Sequence, residues 1–388
     1  MAEVTNFEHN GVSIETSESP EAMGGLGDNV VGLVGTAPKA SASIPLNAPY
    51  RISNPTQAAL LDPTGTEAGT LFQAVSQILK VTQVAIYVVV VEEGATPADT
   101  MNNIIGGVDA DTGQKLGLQA LATAPEVPTI IGAPGFSDKQ AVHSELASFA
   151  KMIRCRFVFD GLDVPVAAQV TNSESIGGAE LGYDRGYMVH QMPAVYSKAA
   201  KANVFLPPST LAIAALASVK QWESPGNQVT YAADVSRTVE YNILSKSTEG
   251  DLLNRYGVSY YARTSLGGFS LLGNRSITGK FISYVGLEDA ITRKLVKAAQ
   301  KAMAKNLKKS FMEQEVKRIS DWLQTLVADE TIPGGKVYLH PDLNSVEKYK
   351  NGTWYIVIDY GRYAPNEHMI YQLNAVDSII EEFLEDVL

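Results

Sequence analysis

The chain has 388 residues, longer than one simple hydrophobic core usually supports, so two or more domains are expected. Its hydrophobic content of 45% is ordinary for a folded protein, and its longest strongly apolar run, Val84 to Val91, is too short for a membrane helix, which needs roughly 20 residues. The net charge of −11 argues against nucleic acid as a general partner, because phosphate is repelled.

The single cysteine, Cys155, excludes an intramolecular disulfide and a cysteine-rich metal site. Its apolar neighbours predict a buried, unreactive thiol. The N-terminus lacks a basic segment followed by an apolar stretch, so no secretory signal is predicted. We therefore expect a protein that is made and kept in a reducing cytosol and does not insert directly into a membrane.

Residues 1–22 are predicted to form an extended, weakly anchored arm. Val12, Ile14 and Thr16 alternate with polar residues, which is typical of a half-buried strand. A glycine-rich stretch then interrupts the chain. Because such an arm has no core of its own, it must pair with a sheet in its own subunit or in another.

From Asn29 the chain becomes regular, and from about Asn102 to Trp222 predicted strands and helices alternate. The strands are expected at Val30 to Val34, Val84 to Val91, Pro128 to Ile131, Phe157 to Phe159 and Tyr187 to Val189, and the helices at Leu71 to Leu79, Asp138 to Met152, Ala179 to Tyr183 and Leu211 to Val219. This alternation predicts a parallel sheet with helices on both faces.

Beyond about Gly250 the predicted helices and strands are segregated, which indicates an α+β domain. The elements expected there are a strand at Val258 to Ala262, helices at Leu287 to Lys309 and Phe311 to Ala328, and strands at Lys336 to Leu339, Thr353 to Tyr360 and Glu367 to Leu373. Asn351-Gly352 is a strong turn signal between the first two of these last three strands.

The fold class predicted from these patterns is α/β plus α+β, in several domains, with extended terminal arms. We expect an N-terminal linking arm at 1–22, a segment at 23–100 that packs with the C-terminal domain, a middle α/β domain at 101–250, a C-terminal α+β domain at 251–374 and a C-terminal linking arm at 375–388.

No catalytic constellation is recognisable in the sequence. No two of the five histidines lie within four residues of each other, and HExxH, CxxC, phosphate-loop and GxSxG motifs are absent. Gly25 and Gly27 precede a predicted strand, whereas a dinucleotide-binding loop follows one. We expect no catalytic residue, cofactor or metal. The alternative, a soluble α/β enzyme of unknown reaction, requires convergent polar residues at the carboxyl ends of the middle-domain strands.

A lysine stripe is the strongest local charge signal. Lys294, Lys297, Lys301, Lys305 and Lys308 have helical spacing, and no acidic residue lies between 294 and 308. The stripe is either an ordinary solvated face or a docking surface for an acidic partner; unmixed charge favours docking, because surfaces selected for solubility usually mix the two signs.

The last residues also have helical spacing. The apolar positions are Val376, Ile379, Ile380 and Phe383, followed by Leu384 and Val387, with acidic residues between them. Such a segment either packs on its own domain or inserts into a neighbouring subunit.

Several stretches, in order along nearly the whole chain, resemble contractile tail sheath proteins of the short type found in temperate myophages and R-type pyocins. They are His9-Asn10-Gly11-Val12, Val31-Gly32-Leu33-Val34-Gly35-Thr36-Ala37, Pro45-Leu46-Asn47-Ala48-Pro49 with Ile52-Ser53-Asn54, Asn103-Ile104-Ile105-Gly106-Gly107, Ile131-Gly132-Ala133-Pro134-Gly135, Leu272-Gly273-Asn274-Arg275 and Gly334-Gly335-Lys336-Val337 with Pro341-Asp342-Leu343-Asn344. The chain departs from the family in two features. Leu272 stands where the family usually has tryptophan, and the terminal segment is more helical than the family's extended arm.

The resemblance implies a structural, non-enzymatic subunit that polymerises as stacked hexameric rings around an inner tube and contracts to drive the tube through the target cell envelope. It implies a middle domain that is subtilisin-like in fold only, and terminal arms that complete a sheet in adjacent subunits. The implied partners are further copies of the chain with six-fold symmetry, the inner tail tube protein, and baseplate and tail terminator proteins. The implied location is a virion tail assembled in the host bacterial cytoplasm.

With this resemblance, the inter-subunit contacts are expected at Val12, Ile14 and Thr16 and at Val376, Ile379, Ile380 and Phe383. The lysine stripe is expected to face the tube. A sheath of a non-phage contractile injection system is the remaining alternative, which neighbouring genes would decide.

Overall fold

The structure, a computed structural model, describes residues 23–387, with the backbone alone at 379, 381, 382, 385 and 387. The predicted arm residues Val12, Ile14 and Thr16 lie outside the described residues. The strands are β1 (Val30–Thr36), β2 (Tyr50–Ile52), β3 (Ala85–Val91), β4 (Gly107–Val108), β5 (Lys115–Leu116), β6 (Ile130–Gly132), β7 (Arg156–Asp160), β8 (Gly186–Val189), β9 (Pro193–Ser197), β10 (Ala202–Phe205), β11 (Gln228–Val229), β12 (Asp234–Val235), β13 (Val258–Arg263), β14 (Phe269–Leu272), β15 (Gly335–Leu339) and β16 (Ile356–Tyr360).

The α-helices connect these strands. They are α1 (Pro55–Ala58), α2 (Leu71–Val81), α3 (Pro97–Ile105), α4 (Gln140–Ile153), α5 (Val166–Glu174), α6 (Ser209–Ser218), α7 (Glu249–Arg255), α8 (Ile282–Ala299), α9 (Lys309–Ala328), α10 (Val346–Lys350) and α11 (Ser378–Val387). The helix predicted at Ala179 to Tyr183 is instead a pair of short 3₁₀ turns, Ala179–Leu181 and Tyr183–Arg185.

The largest element is a nine-stranded mixed sheet in the order β11-β14-β13-β8-β7-β6-β1-β3-β2. The strands from β13 to β3 pair in parallel, whereas β14 and β11 at one edge and β2 at the other pair antiparallel. The parallel sheet predicted from the alternating pattern is therefore confirmed in its centre, and its edges are antiparallel.

Alternating side chains of the central strands bury two separate apolar cores, one on each face of the sheet. In β3, Ile86 and Val88 point into the core that contains α2 and α6, whereas Tyr87 and Val89 point into the core that contains α4. Helix α6 is buried along nearly its whole length, which explains its alanine-rich sequence. Helices thus cover both faces, as the sequence predicted.

The nine-stranded sheet combines strands from three segments that were predicted to be separate. It takes strands from 23–100, from 101–250 and from 251–374. In particular, β1 and β3 pair in parallel inside this sheet, next to its edge strand β2, and all but the first residue of each strand is buried, as expected for parallel strands covered on both faces. The chain divides into two compact units whose limits differ from those of the predicted domains. Among the described residues, the sheet unit comprises 28–289 and 364–387, and the small unit comprises 23–27 and 290–363.

In the small unit, α9 packs on the two-stranded antiparallel sheet of β15 and β16. Trp322 is 2% exposed and its indole nitrogen donates a hydrogen bond to the carbonyl oxygen of Gly24 at 3.2 Å. Leu323 and Ile332 are fully buried beside it. This apolar cluster gives the small unit its own core.

A buried ion network lies in the sheet unit, near the start of α8. The guanidinium of Arg185 donates to both carboxylate oxygens of Asp289, at 2.8 and 3.2 Å, and the two side chains are only 5% and 1% exposed. Arg185 also donates to Asp184, and Lys280 donates to Glu288. Bidentate geometry makes the Arg185–Asp289 pair a strong one, and it fixes the first turns of α8 to the strand region at β8.

Two buried histidines are neutral in the folded protein. Burial lowers the pKa of His143 and of His190 to about 4 in each case. His143 Nδ1 lies 2.6 Å from the Tyr183 hydroxyl, and His190 Nδ1 lies 3.1 Å from the carbonyl oxygen of Leu162.

Because these two histidines are buried, we expect the folded protein to lose stability in mild acid. Between pH 6.5 and 4 the unfolded chain binds protons that the folded histidines do not, so the free energy of unfolding falls as the pH falls, by up to about 3 kcal/mol per histidine. Urea denaturation at pH 7 and pH 4.5 measures this loss. His190→Gln should have the smaller loss across this range, and equal losses in the variant and the parent would contradict the assignment.

Candidate linking surface

The C-terminal segment is extended and exposed. Residues 361–376 form neither helix nor strand, and the strand predicted at Glu367 to Leu373 is wrong as a strand of its own chain. The exposed fractions of Met369, Ile370, Tyr371 and Leu373 are 57, 80, 77 and 93%. Within residues 23–387, no strand pairs with this segment. A strand-forming sequence that is left unpaired can add to the open edge of another sheet.

One ion pair holds the segment to the sheet unit. The guanidinium of Arg275 donates to the Glu367 carboxylate at 2.7 Å, and it also lies 4.1 Å from the centre of the Phe281 ring. Arg275 is the last residue of the Leu272-Gly273-Asn274-Arg275 stretch, which resembles tail sheath proteins. A partly exposed pair of this kind contributes about 0–1 kcal/mol, so it places the base of the segment without burying the rest.

Helix α11 follows the extended segment and is also exposed. Ile380, Phe383 and Leu384 are 58, 64 and 49% exposed, and Val376 just before the helix is 48% exposed. The predicted helical spacing is confirmed for this segment. Of the predicted contact residues, Ile379 is described by its backbone alone. The described apolar side chains of this amphipathic helix are therefore about half exposed or more.

The two-stranded sheet of the small unit has two open edges. β15 and β16 pair from Gly335 opposite Tyr360 to Leu339 opposite Ile356, and this sheet has no third strand among the described residues. Two-stranded sheets are marginally stable alone, and each outer edge presents unpaired N–H and C=O groups. The turn predicted between them at Asn351-Gly352 is present, and it follows α10 in a connection longer than a tight hairpin.

The lysine stripe does not follow one helix. Lys294 and Lys297 lie on α8, but α8 ends at Ala299, so Lys301 lies in a turn and Lys305 and Lys308 lie in the stretch before α9. The prediction that all five share one helical face is wrong. Lysines four residues apart repel each other, and Met303 beyond the helix is 73% exposed, so no buried apolar face supports a further turn.

The connection between α8 and α9 then reverses at Ala304, whose φ is +65°. Lys294 is the half-buried member of the group, and burial, together with the nearby Lys297, lowers its pKa. The five lysines thus form two groups, one along the end of α8 and its turn, and one in the stretch that leads into α9.

The carboxyl ends of the central strands hold a structural cluster. The Asp160 carboxylate, at the end of β7, accepts hydrogen bonds from the Ser137 hydroxyl at 2.7 Å and the Ser209 backbone N–H at 2.7 Å. Burial raises its pKa, and these hydrogen bonds oppose that shift. The carboxylate caps the first turn of α6, and both of its oxygens already accept hydrogen bonds within the fold.

An open cleft of about 570 Å³ lies beside the loop that precedes α2. Glu67 is the one ionisable side chain in its lining, and its carboxylate already accepts from the Ser197 hydroxyl and the Lys198 backbone N–H. Ser197, whose hydroxyl donates to this carboxylate, is 2% exposed, and the lining contains neither histidine nor cysteine. Among residues 23–387, no group of histidine, cysteine and carboxylate side chains is arranged to hold a metal ion, and no helix in this range has the length and apolarity to cross a membrane.

Solved structures define the class of this fold. The sheath complex of an extracellular contractile injection system, PVC, in its contracted state aligns over 97% of this chain and 99% of its own, with a TM-score of 0.70 at 15% identity. The helical sheath of the anti-feeding prophage, AFP, in the contracted state aligns over 94% and 98%, with a TM-score of 0.66 at 17% identity. The fold is that of a contractile sheath subunit.

Curated relatives agree with that class. A prophage major tail sheath protein of Pseudomonas aeruginosa is 26% identical over 371 residues, covering 92% of this chain and 93% of the relative. The tail sheath protein of Burkholderia phage BcepMu is 22% identical over 292 residues, covering 70% of this chain and 61% of the relative. No protein-family model matches the chain. The resemblance to contractile tail sheath proteins is confirmed.

The terminal helix was predictable from the sequence, whereas Glu367 to Leu373, predicted as a strand, is extended without strand pairing among the described residues. The open edges of β15 and β16 were not predictable, because they are visible only once the pairing is known.

Proposed function

We propose that the protein is the structural subunit of a contractile tail sheath, and that it has no enzymatic role. Copies form stacked hexameric rings around an inner tube, and contraction drives the tube through a target cell envelope. The observation that carries this proposal is the unpaired extended segment 364–376 in a chain that also contains an open two-stranded sheet. The similarity to sheath proteins along almost the whole chain supports it.

The proposed link between copies is strand addition. Residues 366–373 of one copy add to the β15–β16 sheet of another, and the N-terminal arm at 1–22 makes a second link. Each main-chain hydrogen bond contributes about 0.5–1.5 kcal/mol, and burial of Met369, Tyr371 and Leu373 adds an apolar term. Because backbone pairing does not depend on how the rest of two subunits is oriented, such links survive the rotation that contraction requires.

The partners follow from the same proposal. They are other copies in six-fold rings, an inner tail tube protein, and baseplate and tail terminator proteins at the two ends. We place the assembled protein in a virion tail that forms in the cytoplasm of the host bacterium. Neighbours in both sheath and baseplate structures support contacts of both kinds.

Electron microscopy of the purified protein tests the proposal directly. Negatively stained samples should contain long hollow striated cylinders, because sheath subunits with both links intact polymerise. Dispersed globular particles at every protein and salt concentration would contradict it.

The lysines at the end of α8 are proposed to face the tube. Lys294, Lys297 and Lys301 form this tube-facing group, and each water-screened contact contributes roughly 0–1 kcal/mol. Lys297→Glu with Lys301→Glu should reduce the fraction of tubes that are sheathed, counted in micrographs of co-assembled protein. Lys317→Glu, which changes an exposed lysine of α9 in the small unit, is the control. Unchanged sheathing in the double variant would contradict the tube-facing assignment.

A second candidate is the sheath of a non-phage contractile injection system. The specific observation in its favour is the likeness to the PVC and AFP sheaths, with TM-scores of 0.70 and 0.66. Neighbouring genes separate the two candidates, since capsid genes accompany a phage tail and are absent from an injection system.

A further inference from the structure

The C-terminal segment and the connection between α8 and α9 carry opposite charge. Residues 364–388 contain six acidic residues and neither lysine nor arginine: Glu367, Asp377, Glu381, Glu382, Glu385 and Asp386. Residues 293–309 contain seven basic residues and no acidic one: Arg293, Lys294, Lys297, Lys301, Lys305, Lys308 and Lys309. Segments of single and opposite sign attract each other over several ångströms in water.

The second group of lysines borders an aromatic surface in the small unit. The Lys305 ammonium lies 5.9 Å from the centre of the Phe311 ring, which lies 5.9 Å from the Trp354 ring. The Tyr349 hydroxyl donates to the carbonyl oxygen of Leu307 at 2.8 Å and so brings α10 against this stretch. Tyr349 and Val346 are 52% and 72% exposed. We call these residues the aromatic–lysine surface.

This surface is continuous with the proposed acceptor sheet, because α10 lies in the chain between β15 and β16. In the donor, the strand-forming residues end at Leu373 and α11 begins at Ser378. The intervening residues span at most roughly 16–18 Å when extended. A donor strand held on β15 or β16 therefore delivers α11 to the region around α10.

We propose that α11 of one copy docks on the aromatic–lysine surface of a second copy. Ile380, Phe383 and Leu384 pack on Val346, Tyr349 and Phe311, and the acidic residues of α11 lie beside Lys305 and Lys308. The C-terminal segment then has two parts, a strand that adds to the neighbouring sheet and a helix that locks it in place. This inference rests on the proposed function, since it needs the two copies to be linked.

Crosslinking between a cysteine introduced in one copy and a cysteine introduced in a second copy tests the docking. Full-length protein with Tyr349→Cys is mixed with full-length protein with Phe383→Cys, co-assembled and treated with a short bis-maleimide. Cys155 is buried and stays unreactive. Covalent dimers should form in the polymer and be absent from unassembled protein. Leu266→Cys, 57% exposed in the sheet unit, replaces Tyr349→Cys in the control and should give no dimers.

Charge exchange gives the second measurement. Lys305→Glu with Lys308→Glu should lower the crosslink yield roughly tenfold, and adding Glu381→Lys with Glu382→Lys in the Phe383→Cys partner should restore it. A polymer that forms without these crosslinks overturns the docking and leaves the proposed function intact. Crosslinks in a double-cysteine monomer also overturn it, because the helix then packs on its own chain. Failure of the parent protein to polymerise overturns both.

Discussion

Removing residues 364–388 should abolish polymerisation while the monomer keeps almost all of its free energy of unfolding. Nearly all described side chains of this segment are exposed, and their one ion pair to the rest of the described chain, between Glu367 and Arg275, contributes about 0–1 kcal/mol. The lost strand removes several main-chain hydrogen bonds from every link between copies, and a polymer depends on all of its links. Sedimentation velocity measures assembly, and urea denaturation measures stability.

Single prolines distinguish strand addition from other uses of this segment. In a strand added to one edge, successive N–H groups point to opposite sides, so only one of two adjacent residues donates to the partner. Ile370→Pro and Tyr371→Pro should therefore differ strongly in their effect on polymerisation, because proline removes the N–H. Ile370→Ala and Tyr371→Ala control for side-chain loss. Equal tolerance of both prolines would refute pairing through this strand.

Replacing Arg185 with alanine should be the most destabilising single change in the sheet unit. It leaves the Asp289 carboxylate, 1% exposed, without its bidentate partner, and breaking a buried pair in this way costs about 3–5 kcal/mol. The loss releases the first turns of α8, the helix that runs from the sheet unit into the small unit. Urea denaturation at pH 7 measures the loss, and soluble expression reports severe cases.

Two controls show whether the buried charge is the cause. Glu288→Gln changes a neighbouring carboxylate that is 35% exposed and should cost less than about 1 kcal/mol. Arg185→Met combined with Asp289→Leu should be less destabilising than Arg185→Ala, since the most deeply buried carboxylate of this network is removed together with its partner. A loss below about 1 kcal/mol in Arg185→Ala would show that the pair is not a main support of α8.

Local elements were predictable because their signals are local. The apolar run ending at Val91 predicts a strand buried on both faces, and β3 has that position in the sheet. The spacing of Leu71, Val75 and Ile78 predicts α2, and these side chains are fully buried. The spacing of Ile380 and Phe383 predicts a terminal helix, which α11 confirms. Each pattern depends on residues within one or two turns.

Helix ends and strand partners were less predictable. The lysine spacing continues with helical period past Ala299, but α8 stops there, because chain reversal at Ala304 and exposure of Met303 leave no core for a longer helix. The tail sheath resemblance, which draws on order along the whole chain, supplied the class of protein that the individual patterns could not.

The residues alone specified which stretches form strands and helices, where opposite charges concentrate and that no catalytic motif is present. Only the tertiary structure decided that β13 and β14 join the same sheet as β1, that the lysines divide into two groups and that 364–376 pairs with no strand among residues 23–387. Side-chain periodicity reports which face of a strand is apolar, whereas hydrogen-bond pairing depends on which edges remain open after the whole chain has folded.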